Sequence, residues 1–153
     1  MARGDPVEAA KAYAMKLLAA RGKSEAELRR RLEQKGFEAG VVDAAMVRLK
    51  ELRFVDDEAF ATARAESLSK RLAPAAVEKR LESQGVAEAV ARRAASQAQG
   101  ERSELGLARE CLATRRPKVD RESLPADRAR AARWLAGRGF SEEVVTELLG
   151  EEG

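Results

Sequence analysis

The chain has no histidine and a single cysteine, Cys111, among its 153 residues. Without histidine, neither a Ser–His–Asp triad nor a Cys–His pair can form. A single cysteine excludes an internal disulfide and a Cys/His zinc site. Walker-type glycine loops and dinucleotide-binding fingerprints are absent too. The adjacent acids Asp56 and Asp57 could suggest a metal site, but they are explained as the start of a helix. We therefore predict a protein that is not an enzyme and that needs no metal and no cofactor.

Aromatic residues and long apolar runs are also scarce. Aromatics make up 4% of the chain, so we expect thin helix–helix packing rather than a thick core. No apolar run is long enough to span a bilayer, and the N-terminus lacks an apolar signal region, which predicts a cytoplasmic protein without membrane contact. The aromatics fall at apolar-face positions of predicted helices, where core packing is the expected role: Tyr13, Phe37, Phe54, Phe60, Trp134 and Phe140.

One helical pattern recurs three times. Its core reads L-E-Q-K-G-F-E-A-G-V-V from Leu32, L-E-S-Q-G-V-A-E-A-V from Leu81 and L-A-G-R-G-F-S-E-E-V-V from Leu135, so the period is 49 and then 54 residues. An apolar helix precedes each core, and no stretch alternates between apolar and polar residues as a strand does. The predicted fold class is all-α, with three tandem three-helix repeats that form an elongated curved rod.

The boundaries follow from capping residues and prolines. The repeats are predicted to span residues 1–54, 55–99 and 100–153. Their helices are predicted at about 6–21, 24–35 and 40–53, at about 57–71, 74–84 and 87–98, and at about 103–114, 126–137 and 141–149. Ser24 and Glu27 have the spacing of a capping box, and Gly36 stands where a left-handed residue ends the helix. Residues 115–125 contain two prolines and alternating charges, which predicts an exposed loop.

Charge is distributed unevenly along the chain. Residues 11–53 carry a net charge of +5, residues 54–100 are balanced, and residues 101–153 carry −1. A basic N-terminal third favours a polyanionic partner, nucleic acid first. The alternative is a solvated helical surface held by i,i+4 ion pairs, such as Glu25–Arg29 and Glu27–Arg31.

The candidate binding residues are the basic clusters. Arg29, Arg30 and Arg31 are consecutive on one predicted helix. Because successive helical residues point about 100° apart, Arg30 lies opposite Leu28 and Leu32 and is predicted to be the most exposed of the three. Such side chains suit contacts with phosphate that do not depend on base sequence, and no helix has the Asn, Gln and Arg content of a base-reading helix. The candidates for contact with nucleic acid or a filament are Arg29, Arg30, Arg31, Lys35, Arg48, Lys50, Arg53, Lys70, Arg71, Lys79, Arg80, Arg115, Arg116 and Lys118.

Four segments carry a family resemblance. They read L-A-A-R-G-K-S-E-A-E-L-R-R-R-L-E-Q-K-G-F from Leu18, L-R-F-V-D-D-E-A-F-A from Leu52, P-A-A-V-E-K-R-L-E-S-Q-G-V from Pro74 and R-W-L-A-G-R-G-F from Arg133. In this order, and over about residues 13–149, the chain resembles the RecX family, the bacterial regulators of the RecA recombinase.

The resemblance implies a regulator that is not an enzyme. Such a protein binds RecA and RecA–DNA filaments and inhibits filament extension, and it thereby modulates recombinational DNA repair and the SOS response. We expect a monomer that binds single- and double-stranded DNA weakly and without sequence preference.

Two other classes stay open: a DNA-binding protein of helix-turn-helix type that acts independently of RecA, and a helical scaffold without a nucleic-acid role. Salt-dependent DNA binding separates the scaffold from the other two, and dependence on RecA separates those from each other.

Overall fold

The computed structural model describes residues 4–151, and within them the chain forms nine α-helices and no strand. The predicted all-α class is therefore confirmed. The helices are α1 (Pro6–Ala20), α2 (Glu25–Lys35), α3 (Ala39–Glu51), α4 (Asp57–Leu68), α5 (Pro74–Ser83), α6 (Glu88–Gln99), α7 (Glu104–Thr114), α8 (Pro125–Gly137) and α9 (Glu142–Leu149).

Each set of three consecutive helices has a buried apolar cluster of its own. We call α1–α3 unit 1, α4–α6 unit 2 and α7–α9 unit 3. The leucines expected in the core, Leu28, Leu32, Leu81 and Leu135, are fully buried. In unit 2 the buried side chains of α6 are all alanine, and these small residues let α6 pack closely against α4 and α5.

Local capping sets the ends of α2. The Ser24 hydroxyl accepts a hydrogen bond from the Glu27 amide at 3.1 Å, and the Ser24 amide donates to the Glu27 carboxylate at 3.1 Å. This reciprocal pair is the predicted capping box. At the other end Gly36 has a φ of +105°, the left-handed conformation that glycine adopts without a steric penalty. Both predictions are confirmed.

The two adjacent acids before α4 have different roles. The Asp56 carboxylate caps its own helix by accepting hydrogen bonds from the amides of Glu58 and Ala59, at 3.0 and 3.1 Å. The Asp57 carboxylate instead accepts from the Glu25 amide, at 2.8 Å, in the first turn of α2. One acid therefore starts a helix and the other links units 1 and 2.

Units 1 and 2 meet where the turn after α5 lies against the start of α2. Gly85 has a φ of +91°, and a Cβ at this position would overlap the Cβ of Ala26. The Ser24 hydroxyl, besides capping α2, donates a hydrogen bond to the carbonyl of Gln84. This first joint therefore needs both the absence of a side chain at Gly85 and the hydroxyl of Ser24.

Units 2 and 3 meet in the same way, at the turn after α8. A Cβ at Gly139 would lie 2.7 Å from the Cβ of Ala76. The Ala73 amide donates to the carbonyl of Arg138 at 2.9 Å, and the Arg138 guanidinium donates to the carbonyl of Arg71 at 3.0 Å. Ala73 is also buried in the apolar cluster of unit 3, so this second joint combines apolar contact with backbone hydrogen bonds.

The units follow one another in a row. The accessible surface is 9728 Å² for a mass of 16.7 kDa, whereas a compact protein of that mass exposes about 7,600 Å². The most extensive helix contacts all lie within units. Most of the burial therefore occurs inside each unit, and the joints are narrow, as expected for an elongated repeat protein.

The aromatic prediction is wrong for one residue. Tyr13, Phe37 and Phe60 pack against unit cores, and Phe140 is buried. Phe54, by contrast, is 47% exposed. The chain reverses after α3, and Val55 enters the core of unit 1 in place of Phe54.

The unit 3 core contains two residues of note. Cys111 is buried, and burial raises the pKa of its thiol despite the nearby charge of Arg138. Val119 lies in the segment predicted as an exposed loop, but it is buried in the unit 3 cluster. The expectation of an exposed loop therefore fails at Val119, because this apolar side chain anchors the segment to the core.

Candidate nucleic-acid interface

The basic candidates of unit 1 divide into paired and unpaired side chains. Within residues 4–151, Arg30, Arg31 and Lys35 are exposed and have no ion-pair partner. The paired candidates are Arg29 with Asp43 at 2.5 Å, Arg48 with Glu51 at 3.2 Å and Lys50 with Glu25 at 3.3 Å. Arg29 and Glu25 have partners on α3, and the Glu27 carboxylate accepts from the Ser24 amide. The i,i+4 pairs Glu25–Arg29 and Glu27–Arg31 therefore do not form in the described part of the chain.

The candidates of units 2 and 3 lie near the joints and in the segment after α7. Arg115 is half-buried. The Arg116 guanidinium folds back onto its own backbone and donates to the carbonyl of Ala113 at 2.7 Å. The exposed candidates of these units are Lys70, Arg71, Lys79, Arg80, Arg116 and Lys118.

Arg64, which was not among the candidates, lies at the centre of a cluster of positive charge. Its Nε is buried and has no hydrogen-bond partner in the described structure. Burial lowers the pKa of the Arg64 guanidinium, and the nearby charges of Arg21, Arg71 and Arg80 lower it further, while the carboxylate of Glu27 opposes them weakly. Arg21, Arg71 and Arg80 thus each repel Arg64, and an added anion would relieve that repulsion.

A cavity of about 440 Å³ opens beside this cluster, between the C-terminal end of α1 and α4, so that its lining comes from both units 1 and 2. We call it the joint cavity. Four basic side chains line it, Arg21, Lys23, Arg53 and Arg64, and Asp56 is the single acid among its lining residues. The apolar part of the wall consists of Leu18, Phe54, Ala59, Phe60 and Ala63. The joint cavity therefore offers an apolar wall next to an excess of positive charge.

At the second joint, two arginines flank the one tryptophan. The guanidinium carbons of Arg138 and Arg115 lie 4.1 and 5.9 Å from the centre of the Trp134 ring. Cation–π contact holds guanidinium groups in place without neutralising them. The Nε of Arg138 is buried without a hydrogen-bond partner within the described residues. Trp134 is half-buried and packs against the unit 3 core, as predicted, and its ring also supports these charges.

Neighbouring arginines therefore connect the two joints. Arg64 is close to Arg21 of unit 1 and to Arg71 and Arg80 of unit 2, and Arg138 of unit 3 donates to the carbonyl of Arg71. None of them has an ion-pair partner in the described part of the chain. We call this set the arginine track: Arg21, Arg64, Arg71, Arg80, Arg115 and Arg138.

Half of the arginine track was missed from the sequence. Arg71, Arg80 and Arg115 belong to basic clusters and were candidates, whereas Arg21, Arg64 and Arg138 have no basic neighbour in the chain. A usable signal existed for Arg64, which lies four residues after Phe60 and four before Leu68 on the apolar stripe of α4. A charge in such a position is expected to have a specific environment.

Residues 4–151 lack two other features, a metal cluster and a membrane-spanning helix. No group of three or more His, Cys, Asp or Glu side chains is placed to hold a metal ion. None of the helices in this range is both long enough and apolar enough to cross a membrane.

Comparisons with known proteins agree on one family. The family model for the first three-helix domain of RecX matches residues 10–49. The regulatory protein RecX of Syntrophotalea carbinolica is 32% identical over 142 residues, which cover 91% of this chain and 93% of that protein. The regulatory protein RecX of Thermus thermophilus is 38% identical over 145 residues, which cover 93% of both chains. The chain belongs to the RecX family of regulatory proteins.

Solved RecX structures share the fold. The crystal structure of RecX from Lactobacillus salivarius superimposes with a TM-score of 0.72 over 94% of both chains, at 15% identity. A second crystal structure, of a regulatory protein RecX, gives a TM-score of 0.75 at 19% identity and covers 94% of this chain and 73% of the other. The resemblance drawn from the sequence is thus confirmed, and the chain has the fold of the solved RecX structures.

Proposed function

We propose that this RecX-family protein binds RecA and RecA–DNA filaments and inhibits filament extension, and that it thereby modulates recombinational DNA repair and the SOS response. One observation carries the proposal: the arginine track crosses both joints and presents unpaired guanidinium groups from all three units. A row of cations along an elongated protein matches a linear polyanion, and DNA inside a protein filament is such a partner.

The chemistry of the arginine track favours phosphate over bases. A guanidinium group binds phosphate oxygens in a bidentate manner and remains charged at any physiological pH. Each phosphate contact releases counterions from DNA, so affinity falls as salt rises and does not depend on base sequence. Repulsion within the arginine track disfavours the unbound state, which adds to the gain on binding.

The rest of the proposal follows from the family. We expect the free protein to be a cytoplasmic monomer with a regulatory rather than a catalytic role. It should bind single- and double-stranded DNA weakly, and more tightly when RecA is present, because the filament supplies a second surface next to the DNA.

The test compares two double variants of the full chain. Arg71→Gln with Arg80→Gln removes two charges of the arginine track. Arg92→Gln with Arg93→Gln removes two exposed charges of the same unit that are ion-paired with Glu88 and Glu58. Each protein is titrated into preformed RecA filaments on single-stranded DNA, while ATP hydrolysis and retention of the DNA are followed in parallel.

The track variant should lose inhibition, and the control should inhibit as the wild type does. For DNA binding alone, loss of two phosphate contacts should reduce the slope of log affinity against log salt by roughly 1.4, at about 0.7 for each contact. Equal loss in both variants would contradict the role of the arginine track. DNA binding without any effect on RecA would favour a DNA-binding protein that acts alone, and binding to neither would favour a scaffold.

A further inference from the structure

The joint cavity has a chemistry that phosphate contacts alone do not require. Its wall combines four basic side chains with the rings of Phe54 and Phe60. A simple phosphate track needs no aromatic surface, whereas sites for unstacked nucleotides combine cations with aromatic rings. The volume of about 440 Å³ also lies within the range of small-molecule sites.

The exposed ring of Phe54 is the first unexplained feature. Phe54 is 47% exposed although aromatics are scarce in this chain, and Val55 takes the neighbouring place in the core. The unit 1 cluster therefore includes Val55 and not Phe54. A ring held at the mouth of a basic cavity is available to stack on a planar ligand.

The backbone of Arg53 is the second unexplained feature. It is the one residue other than glycine with a positive φ, +60°, within residues 4–151. The chain closes α3 through hydrogen bonds from Arg53 to Lys50 and from Phe54 to Leu49, at 3.0 and 2.9 Å. A glycine normally occupies this position in such a closure, so the arginine imposes strain on the fold and supplies a cation to the joint cavity.

We propose that the joint cavity binds one unstacked nucleotide of single-stranded DNA. The base lies against Phe54 and Phe60, and the adjoining phosphate meets Arg53 and Arg64. This inference rests on the proposed function and adds a specific step: the protein holds a displaced base as well as the phosphate backbone. Two features of the lining favour an anionic ligand. The charge of Arg21 repels Arg64, whose Nε is buried, and the single acid, Asp56, is occupied in capping α4.

The first test uses two oligonucleotides with the same number of phosphates. One is an oligothymidylate and the other is an abasic oligonucleotide of equal length. The wild-type chain should bind the oligothymidylate about fivefold or more tightly, as one stacked base contributes that much. Phe54→Ala should abolish this preference and leave affinity for the abasic strand unchanged. The matched control is Val47→Ala, which removes an apolar side chain of unit 1 that is 58% exposed and does not line the joint cavity.

The second test separates binding from folding. Arg53→Gly should relieve the positive φ and raise the melting temperature by about 2–4 °C, yet weaken binding to both oligonucleotides. A variant that is more stable but binds less well cannot have lost binding through misfolding.

Two results would overturn the inference. One is a wild-type chain that binds the two oligonucleotides equally. The other is a Phe54→Ala variant that loses affinity equally for both, which would mean that Phe54 supports the phosphate contacts and does not stack on a base. If base preference is absent while Arg71→Gln with Arg80→Gln still abolishes inhibition of RecA, the inference fails and the proposed function stands.

Discussion

At the scale of single residues, three glycines occupy equivalent turns but serve different ends. Gly36, Gly85 and Gly139 all have a positive φ, at +105°, +91° and +94°. A Cβ at Gly36 would meet nothing within 4 Å, whereas at the other two it would meet Ala26 or Ala76. All three turns therefore need the left-handed conformation, and the two that form joints also need the missing side chain.

The first prediction compares Gly85→Ala with Gly36→Ala. Both substitutions place alanine in the left-handed region, at a cost of roughly 1–2 kcal/mol. Gly85→Ala should cost about 1–3 kcal/mol more, because its methyl group overlaps Ala26 and overpacks the joint. Urea denaturation of both variants measures the difference. Equal losses would mean that the first joint opens freely and adds little to stability.

At the scale of helices, α2 receives its N-terminal caps from two units. Ser24 caps the Glu27 amide from within unit 1, and Asp57 caps the Glu25 amide from unit 2. Carboxylates near a helix N-terminus also interact favourably with the helix dipole. The first turn of α2 is thus completed only when the two units are docked.

The second prediction compares Asp57→Ala with Asp56→Ala. Each should destabilise the protein by about 1 kcal/mol, the usual loss for a cap. Asp57→Ala should increase amide hydrogen exchange at Glu25, in α2. Asp56→Ala should increase exchange at Glu58 and Ala59, in α4, and leave α2 protected. If both variants increase exchange in α2, the two acids stabilise the start of α2 jointly.

At the scale of the whole molecule, charge and shape act together. Positive charge is concentrated in residues 11–53, at +5, whereas residues 101–153 carry −1. The arginine track runs through the joints, but the unpaired Arg30, Arg31 and Lys35 lie on α2, within unit 1. We therefore expect the unit 1 surface to attract DNA at a distance and the arginine track to hold it after contact.

The third prediction tests this division. Arg30→Glu with Lys35→Glu should slow association with RecA–DNA filaments, by up to about tenfold at low salt, and should change the dissociation rate little. Arg71→Gln with Arg80→Gln should mainly speed dissociation. Stopped-flow mixing at two salt concentrations measures both rates. If the Arg30 and Lys35 changes act on dissociation instead, α2 is itself in contact with the filament.

Local sequence patterns were enough to predict the all-α class, the three leucine-glycine cores and the caps of α2. Each depends on residues within about four positions of one another, where helical periodicity and capping chemistry act directly. The sequence also located the basic N-terminal third and three members of the arginine track. Only the tertiary structure brought Arg21, Arg64 and Arg138 into that track, turned Phe54 outward and formed the joint cavity. A sequence pattern shows which face of a helix is buried, whereas charges on different helices become neighbours only when the units pack against each other.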